Sequence, residues 1–210
     1  MQPTLNQAGV RAWPQDVLLA VQELRSAQAL TVISVPTPLT TNRVMARSLI
    51  RTALRGTLGA LLDQPAASIA LVSHPGEPIR VNSAPVCLCL SISHSPGLSV
   101  AAIYRGVSIG TDVMHIEAGR PEQPDWINVA RDYLGPQVTA LLQTTPSSNL
   151  PVAFAQAWTR FEACLKCLGL AVTEWSPELG AQLASCRVGT LDLPDNYVGT
   201  VAAGDLARNW

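Results

Sequence analysis

The apolar residues of this chain recur with two different spacings, and each spacing predicts a different kind of element. Recurrence every three or four residues is typical of amphipathic helices, and short apolar stretches between turn residues are typical of strands. The predicted helices cover residues 14–27, 43–62, 126–134, 136–143 and 151–168. The predicted strands cover residues 31–35, 68–72, 78–81, 86–92, 98–104, 107–116, 186–191 and 197–203. Because helices and strands follow one another in blocks, the order predicts an α+β protein built from two halves.

Composition sets the size and the charge of the molecule. The chain has 210 residues, of which 48% are hydrophobic and 14% are charged, so it can form one large domain or two small packed ones. Its formal net charge is −1, so no overall field attracts it to nucleic acid or to a membrane surface. An anionic ligand must therefore be bound by a local cluster of basic side chains.

The sequence also bears on the cellular compartment. No apolar run approaches the ~20 residues that a membrane-spanning helix needs. The first residues lack the basic start and apolar stretch of a secretory signal. The five cysteines, an odd number in a chain of this size, favour a reducing compartment, so we expect a cytoplasmic protein. We interpret these cysteines as small buried hydrophobic residues, with a zinc site as the less favoured alternative.

Four arginines form a regular series on the second predicted helix. They occur at every fourth position and therefore share one helix face: Arg43, Arg47, Arg51 and Arg55. A row of guanidinium groups in a protein of nearly zero net charge indicates an anion site, with phosphate groups or an acidic partner as candidate ligands. An ordinary solvated helix face explains the same spacing equally well.

Two segments near the middle of the chain add polar chemistry. One predicted strand leads into Ser93, His94 and Ser95. Such a segment could hold a phosphate, cap a turn or belong to a hydrolase, although the Gly-x-Ser-x-Gly motif of many hydrolases is absent. Further along, Gly110 permits close approach of other atoms, and Asp112 emerges from an otherwise apolar strand. That carboxylate needs a partner, because burial of an unpaired charge is costly.

The last motif lies on the helix predicted over residues 151–168. Glu162 and Lys166 are four residues apart and share a face, and Lys166 is the only lysine of the chain. A carboxylate can bind a metal ion, and an ammonium group can serve a leaving group. With Asp112 as the second ligand, these residues could form a metal site. The spacing alone favours an ordinary surface ion pair, which stabilises a helix by roughly 0.2–0.5 kcal/mol.

The order of these motifs is that of one known family. Over about residues 43–170 the chain resembles the Sfp-type 4′-phosphopantetheinyl transferases. The resemblance implies two pseudo-symmetric α+β halves, here residues 1–105 and 106–210, with a ligand cleft between them. It implies transfer of the 4′-phosphopantetheine group of coenzyme A to a serine of an acyl or peptidyl carrier protein, with release of adenosine 3′,5′-bisphosphate. It also implies Mg²⁺, with Mn²⁺ as an alternative, and we expect a monomer because one chain supplies the whole cleft.

The resemblance further implies roles for individual residues. Asp112 and Glu162 match two metal-binding carboxylates. Glu162 also matches a group that helps to deprotonate the incoming serine, and Lys166 matches a lysine beside the pyrophosphate. These three form the expected catalytic set. Contacts to coenzyme A are expected from Arg47, Gly76, Pro78, Ser93, His94 and Lys166.

Three positions depart from the family pattern. Met114 stands where a further acid is common, Phe161 replaces a lysine, and Glu77 occupies a usually basic position. A thioether is a poor ligand for magnesium. The departures support an alternative in which the chain is a non-catalytic relative that binds coenzyme A or a carrier protein.

Overall fold

The computed structural model describes residues 5, 7–26, 29–74, 77–82, 87–105, 108–116 and 125–204. Within them, helices α1 to α6 span Val17–Arg25, Arg43–Leu62, Trp126–Tyr133, Pro136–Thr144, Leu150–Leu168 and Pro177–Leu183. Strands β1 to β10 span Gln7–Ala8, Val10–Ala12, Leu30–Pro36, Leu71–Val72, Arg80–Val81, Leu88–Ser95, Leu98–Arg105, Ser108–His115, Arg187–Leu191 and Tyr197–Gly204. This mixture of helices and largely antiparallel strands confirms the predicted α+β class.

Two four-stranded sheets form the centre of the fold. Their strand orders are β1-β9-β10-β8 and β2-β3-β7-β6, and β4 pairs separately with β5. The long strands pair with antiparallel neighbours, whereas the short strands β1 and β2 run parallel to theirs. Helices α1 and α2 pack on the sheet that contains β3 and β7, and α5 packs on β8 and β10. Each sheet therefore carries at least one helix that buries one of its faces.

Strand β7 shows how the two sheets share a core. All residues from Leu98 to Tyr104 are buried, and successive side chains point to opposite faces of the sheet. Ile103 belongs to the same apolar cluster as Ile50 of α2. Val100 belongs to a second cluster, together with Val201 of the other sheet. The strand is a continuous apolar run because both of its faces lie in a core.

Helix α2 has the predicted bounds because both of its ends carry clear signals. The side chain of Asn42 accepts a hydrogen bond from Met45 N at 2.9 Å and caps the first turn. At the other end, Asp63 adopts a left-handed conformation with φ of 54°, which stops the helix. The arginine series is thereby held on one regular helix of 20 residues.

The edge strands β6 and β8 of the two sheets are joined by serine side chains. Three hydroxyl oxygens of β6 accept hydrogen bonds from backbone N–H groups of β8: Ser91 from Thr111 at 3.0 Å, Ser93 from Val113 at 3.3 Å, and Ser95 from His115 at 2.8 Å. The spacing of two residues places the three hydroxyls, here called the serine ladder, on one face of β6. The ladder holds the Ser-His-Ser segment beside the strand that carries Asp112.

The predicted division of the chain after residue 105 stays a prediction. The sheet that contains β3 and β7 is built from residues before that point, and β8, β9 and β10 come after it. Gln7 and Ala8, however, pair in parallel with Thr190 and Leu191 of β9. One short strand from the first half therefore extends the sheet of the second.

Several short elements differ from the prediction. Helix α6 was not expected, because it has seven residues and buries only Leu179, so it has no apolar stripe. Its start carries a weaker signal, since the hydroxyl of Ser176 accepts a hydrogen bond from Leu179 N. Strands β1 and β2 were also not expected, and both are only two or three residues long. The strand predicted over residues 68–72 is shorter than expected, because Ala66–Ser68 forms a 3₁₀ turn and only Leu71–Val72 is paired.

The cysteines follow the prediction in part. Cys164, Cys167 and Cys186 are buried, and Cys89 is half-buried. The prediction is wrong for Cys87, which is exposed because it precedes the first residue of β6. Within the described part of the chain, no helix is long and apolar enough to cross a membrane.

Candidate functional site

Helix α5 lies in direct contact with β8, and Gly110 makes this approach possible. A Cβ atom at Gly110 would lie 1.9 Å from Ala163 O and 2.5 Å from Cys167 N. Both are backbone atoms of α5 and cannot rotate away, so only glycine fits between the helix and the strand. The close contact allows the side chain of Lys166 to reach Asp112, two residues further along β8. The Gly-x-Asp spacing therefore couples the strand to the helix.

The three residues predicted for catalysis meet between α5 and β8. Lys166 Nζ lies 2.7 Å from Asp112 Oδ1 and 3.5 Å from Glu162 Oε2. It also donates a hydrogen bond to Thr111 O at 3.1 Å. Two carboxylates that are distant in sequence thus lie within ion-pair distance of one ammonium group. Their chemical roles stay predictions.

Two donors compensate the charge of Asp112, which is 6% exposed. Ser93 Oγ donates a hydrogen bond at 2.6 Å and Lys166 Nζ donates one at 2.7 Å, and both reach Oδ1. Charge-assisted hydrogen bonds of this kind offset the cost of burying a carboxylate. Among the described residues no hydrogen-bond donor reaches the other oxygen, Oδ2. Within the described structure that oxygen is available to a ligand in the cleft that Asp112 lines.

The arginine series of α2 is divided between two tasks. Arg43 and Arg47 are exposed, Arg51 is half-buried, and all three line the same cleft as Asp112. Arg55 does not line it, because its Nε donates a hydrogen bond to Ile69 O at 3.2 Å. The first three arginines can bind an anion, whereas the fourth fixes the segment that follows the helix.

The pKa of His94, at the end of β6, is strongly perturbed. Burial lowers it most, and the positive charges of Arg47, Arg43 and Lys166 lower it further, to about 4. The ring is therefore neutral near pH 7. Its Nδ1 lies 2.8 Å from Ser99 Oγ. An anion bound among the same arginines would weaken the positive field and favour protonation of the ring.

The described residues do not form a serine-hydrolase arrangement around His94. The hydroxyl within hydrogen-bonding distance of His94 belongs to Ser99, which is 0% exposed, so no substrate can reach it. Ser93 donates its hydroxyl proton to Asp112 instead. The hydrolase interpretation therefore lacks an accessible nucleophile beside a base.

A cleft of about 880 Å³ connects these groups, which is within the usual range for small-molecule sites. The predicted site residues that line it are Arg47, Pro78, Ser93, His94, Asp112, Glu162 and Lys166. Gly76 lies outside the described residues. Further lining residues that the sequence did not indicate include Ser73, Ile79, Leu170 and Ala171. These side chains are apolar or neutral, and no spacing in the sequence distinguishes them from core or loop residues.

The three departures from the family pattern occupy different places. Phe161 is 5% exposed and packs in the helical core, with its ring 5.7 Å from that of Trp158. Phe161 does not line the cleft, so whether a lysine at this position would contact a phosphate stays a prediction. Met114 and Glu77 do line the cleft. These two positions alone alter its chemistry.

The donors of the cleft fit a magnesium ion only in part. Among the described residues, no group of three His, Cys, Asp or Glu side chains could hold a metal ion. Mg²⁺, however, commonly uses one or two carboxylates and takes its other ligands from water and substrate phosphates. Asp112 and Glu162, which converge on one ammonium group, fit that pattern in donor type and in closeness. Met114 adds no ligand, so substrate oxygens would have to complete the coordination.

Comparison with protein-family models identifies part of the chain. No curated protein sequence matches the chain at a significant level. Residues 108–198 match the model of the 4′-phosphopantetheinyl transferase superfamily. The matched segment begins in β8, ends in β10 and contains Asp112, Glu162 and Lys166. The match confirms the resemblance at the level of the superfamily and supports phosphopantetheine transfer as the general chemistry. Residues 108–198, somewhat less than half of the chain, are therefore similar to the 4′-phosphopantetheinyl transferase superfamily.

Proposed function

We propose that the protein is an Sfp-type enzyme that transfers the 4′-phosphopantetheine group of coenzyme A to a serine of an acyl or peptidyl carrier protein. Adenosine 3′,5′-bisphosphate is the other product. The observation that carries the proposal is the convergence of Asp112 and Glu162 on Lys166, in a cleft that arginines of α2 also line. The cleft thus combines groups for an anionic nucleotide with groups for proton transfer.

The arginines account for recognition of the substrate. Coenzyme A carries a diphosphate and a 3′-phosphate, and guanidinium groups bind phosphate oxygens through paired hydrogen bonds. Arg43, Arg47 and Arg51 supply these groups from one helix, and His94 supplies a ring nitrogen at the same cleft. We assign the nucleotide phosphates to this part of the cleft and the diphosphate to the side of Lys166.

Asp112 and Glu162 are the residues that would hold Mg²⁺, with Mn²⁺ as the alternative. When bound, the ion offsets negative charge on the diphosphate and on the departing bisphosphate. Lys166 adds a positive charge at the same place, since its ammonium group already lies between the two carboxylates. The site would therefore supply positive charge to the leaving group both from Lys166 and from the bound ion.

The proposed transfer step gives each of these residues a role. The serine Oγ of the carrier forms a bond to the phosphorus that bears pantetheine, while the bond from that phosphorus to the bridging oxygen breaks. The bridging oxygen leaves with the electron pair as part of adenosine 3′,5′-bisphosphate. Glu162 accepts the serine proton, and Lys166 stabilises the departing oxygen. Most of the acceleration comes from alignment, because phosphoryl transfer needs in-line geometry.

The partners of this reaction are coenzyme A and the apo form of a carrier protein. We propose that the enzyme acts as a monomer in the cytoplasm, because α2, β6, β8, α5 and the loops beside them, all from one chain, supply the lining residues that the structure describes. The net charge of −1 gives no reason to add nucleic acid or a membrane to these partners.

Mass spectrometry of the carrier protein tests the proposal. The protein is incubated with coenzyme A, Mg²⁺ and an apo carrier protein, and the carrier should gain the mass of one phosphopantetheine. The Asp112→Ala variant should produce no gain under the same conditions. A carrier that stays unmodified by the wild-type protein would refute the proposed activity, provided that a reference transferase modifies the same preparation.

A second function has specific support from two cleft residues. Met114 removes a metal ligand and Glu77 adds a negative charge to the cleft. Both changes favour a relative that binds coenzyme A or a carrier protein without catalysis. Measurable coenzyme A binding by calorimetry, together with an unmodified carrier, would establish this alternative.

A further inference from the structure

Ser93 differs from the other two members of the serine ladder. All three hydroxyls accept a hydrogen bond from a backbone N–H group of β8. Of the three hydroxyls, only that of Ser93 also donates its proton to a carboxylate in the described structure, to Asp112 Oδ1 at 2.6 Å. Its burial does not explain the difference, since Ser93 is 5% exposed and Ser91 is 6% exposed.

The hydrogen bonds of Ser93 fix the direction of its proton. Val113 N donates to Ser93 Oγ at 3.3 Å and so occupies one lone pair of the hydroxyl oxygen. A serine hydroxyl has a single proton, and here that proton is directed to Asp112. While this bond is made, Ser93 cannot donate to a nucleotide phosphate, which is the contact that the family resemblance implies.

The same bond also determines which oxygen of Asp112 is free. Ser93 and Lys166 both reach Oδ1, so the carboxylate is held through one oxygen. Without the hydroxyl, Lys166 would be the only described donor to this carboxylate, and the group could rotate about its Cβ–Cγ bond. The ammonium could then pair with either oxygen or with both.

We propose that Ser93 is a positioning residue that fixes the Asp112 carboxylate with Oδ1 on Lys166 and Oδ2 free for the divalent cation of the transfer reaction. The assignment rests on the proposed function. It gives Ser93 a place on the metal side of the cleft, whereas His94, its neighbour in sequence, stays on the nucleotide side. Partners that orient a metal ligand typically change metal affinity or activity by about 10–100-fold when they are removed.

The serine ladder supplies a matched control for the test. Ser93→Ala removes one hydrogen bond to the β8 backbone and the bond to Asp112, whereas Ser91→Ala removes only a bond to the β8 backbone. Ser93→Thr keeps a hydroxyl at the same position and should restore function. If Ser93→Ala does not fold, Ser93→Cys takes its place, because a thiol of similar size is a weak donor.

Three quantities are measured for each variant. They are the affinity for Mn²⁺ in the presence of coenzyme A, read from the paramagnetic resonance signal of the free ion, the affinity for coenzyme A by calorimetry, and the rate of transfer. We expect Ser93→Ala to weaken Mn²⁺ binding and transfer by about 10–100-fold each, with coenzyme A affinity nearly unchanged. Ser91→Ala should change all three by less than about threefold, since it loses one neutral hydrogen bond away from the carboxylate.

Other results would overturn the assignment. A loss of coenzyme A affinity with unchanged Mn²⁺ binding would make Ser93 a phosphate ligand. Equal effects of Ser93→Ala and Ser91→Ala on Mn²⁺ affinity and transfer rate would show that Ser93 only joins β6 to β8. Failure of Ser93→Thr to restore Mn²⁺ binding would also contradict the proposal. The wild-type transfer rate separates this test from that of the proposed function. A wild-type protein that binds Mn²⁺ and coenzyme A without transfer refutes the activity, while the Mn²⁺ affinities still decide the role of Ser93.

Discussion

The contact between Gly110 and α5 offers the sharpest test of how the fold creates the site. In Gly110→Ala the added methyl group would lie 1.9 Å from Ala163 O and 2.5 Å from Cys167 N. Contacts of a real Cβ atom below 3.0 Å are essentially absent from proteins, so α5 has to retreat from β8 by about 1 Å. Because these helix atoms belong to the backbone, no side-chain rotation relieves the contact.

The expected magnitude follows from what the retreat displaces. Ala163 follows Glu162, and Cys167 follows Lys166, so the displaced turns carry both site residues of the helix. In the wild-type protein Lys166 Nζ lies 2.7 Å from Asp112 Oδ1, so a retreat of α5 would lengthen this contact. A misplacement of this size typically costs about 10²-fold in rate. Overpacking of a buried contact costs about 1–3 kcal/mol in the free energy of unfolding. In a chain of this length each kcal/mol lowers the unfolding midpoint by about 2–4 °C.

The assay compares transfer rates at a temperature at which all variants are folded. Gly59→Ala is the control, because its Cβ would lie 2.7 Å from Gln64 O, a backbone contact at the end of α2 away from the cleft. It should lose stability like Gly110→Ala while keeping most of its transfer rate. If folded Gly110→Ala transferred phosphopantetheine at the wild-type rate, the close contact between α5 and β8 would not be needed to position the site. An equal loss of rate in Gly59→Ala would show that general destabilisation is the cause.

Three further predictions concern the cleft. Glu162→Gln keeps the size of the side chain but removes its charge, so the transfer rate should fall by about 10²–10⁴-fold. Calorimetry should show that coenzyme A binding is largely retained. A near-normal transfer rate would exclude Glu162 as the base. Arg47→Glu should weaken coenzyme A binding more at low salt than at high salt, because exposed charges are screened. Arg55→Glu makes the same charge change outside the cleft, and an equal loss in that variant would indicate a general field effect. Burial and neighbouring positive charges lower the pKa of His94 from 6.5 to about 4. Between these pH values the unfolded state binds more protons than the folded state, so the stability of the wild-type protein falls as the pH drops. The His94→Gln variant should therefore lose less stability over the same range. Thermal unfolding across that range checks this, and identical slopes for both proteins would contradict it.

The sequence predicts those parts of the fold that depend on local signals. Helix α2 has the predicted bounds because Asn42 caps its start and the chain turns at Asp63, both of which are short-range effects. The long strands were expected because their apolar runs lie between turn residues. The candidate residues Asp112, Glu162 and Lys166 were found by spacing and by resemblance, and the structure places them in one cleft.

The sequence does not predict contacts between elements that are distant along the chain. The period of a helix shows that Phe161 and Glu162 lie on different faces, but not which face meets the cleft and which meets the core. The alternation of Ser91, Ser93 and Ser95 was visible, yet nothing in it indicates the N–H groups of β8 as partners. Tertiary packing decides both questions, so neither answer follows from the sequence pattern.

The replacement of an acid by Met114 changes the electrostatics of the site in a way that the neighbouring residues can accommodate. Asp112, Glu162 and the ammonium group of Lys166 carry a formal charge of −1 as a group, which attracts a divalent cation only moderately. A third carboxylate at position 114 would double that charge before any substrate was bound. If the site binds a divalent cation as proposed, a thioether there means that most of the charge that attracts the cation has to come from the substrate diphosphate, which the arginines of α2 would hold. The proposed function therefore predicts that cation binding depends on occupation of the cleft by coenzyme A, and that Met114 makes this dependence stronger while Asp112 and Glu162 remain as ligands.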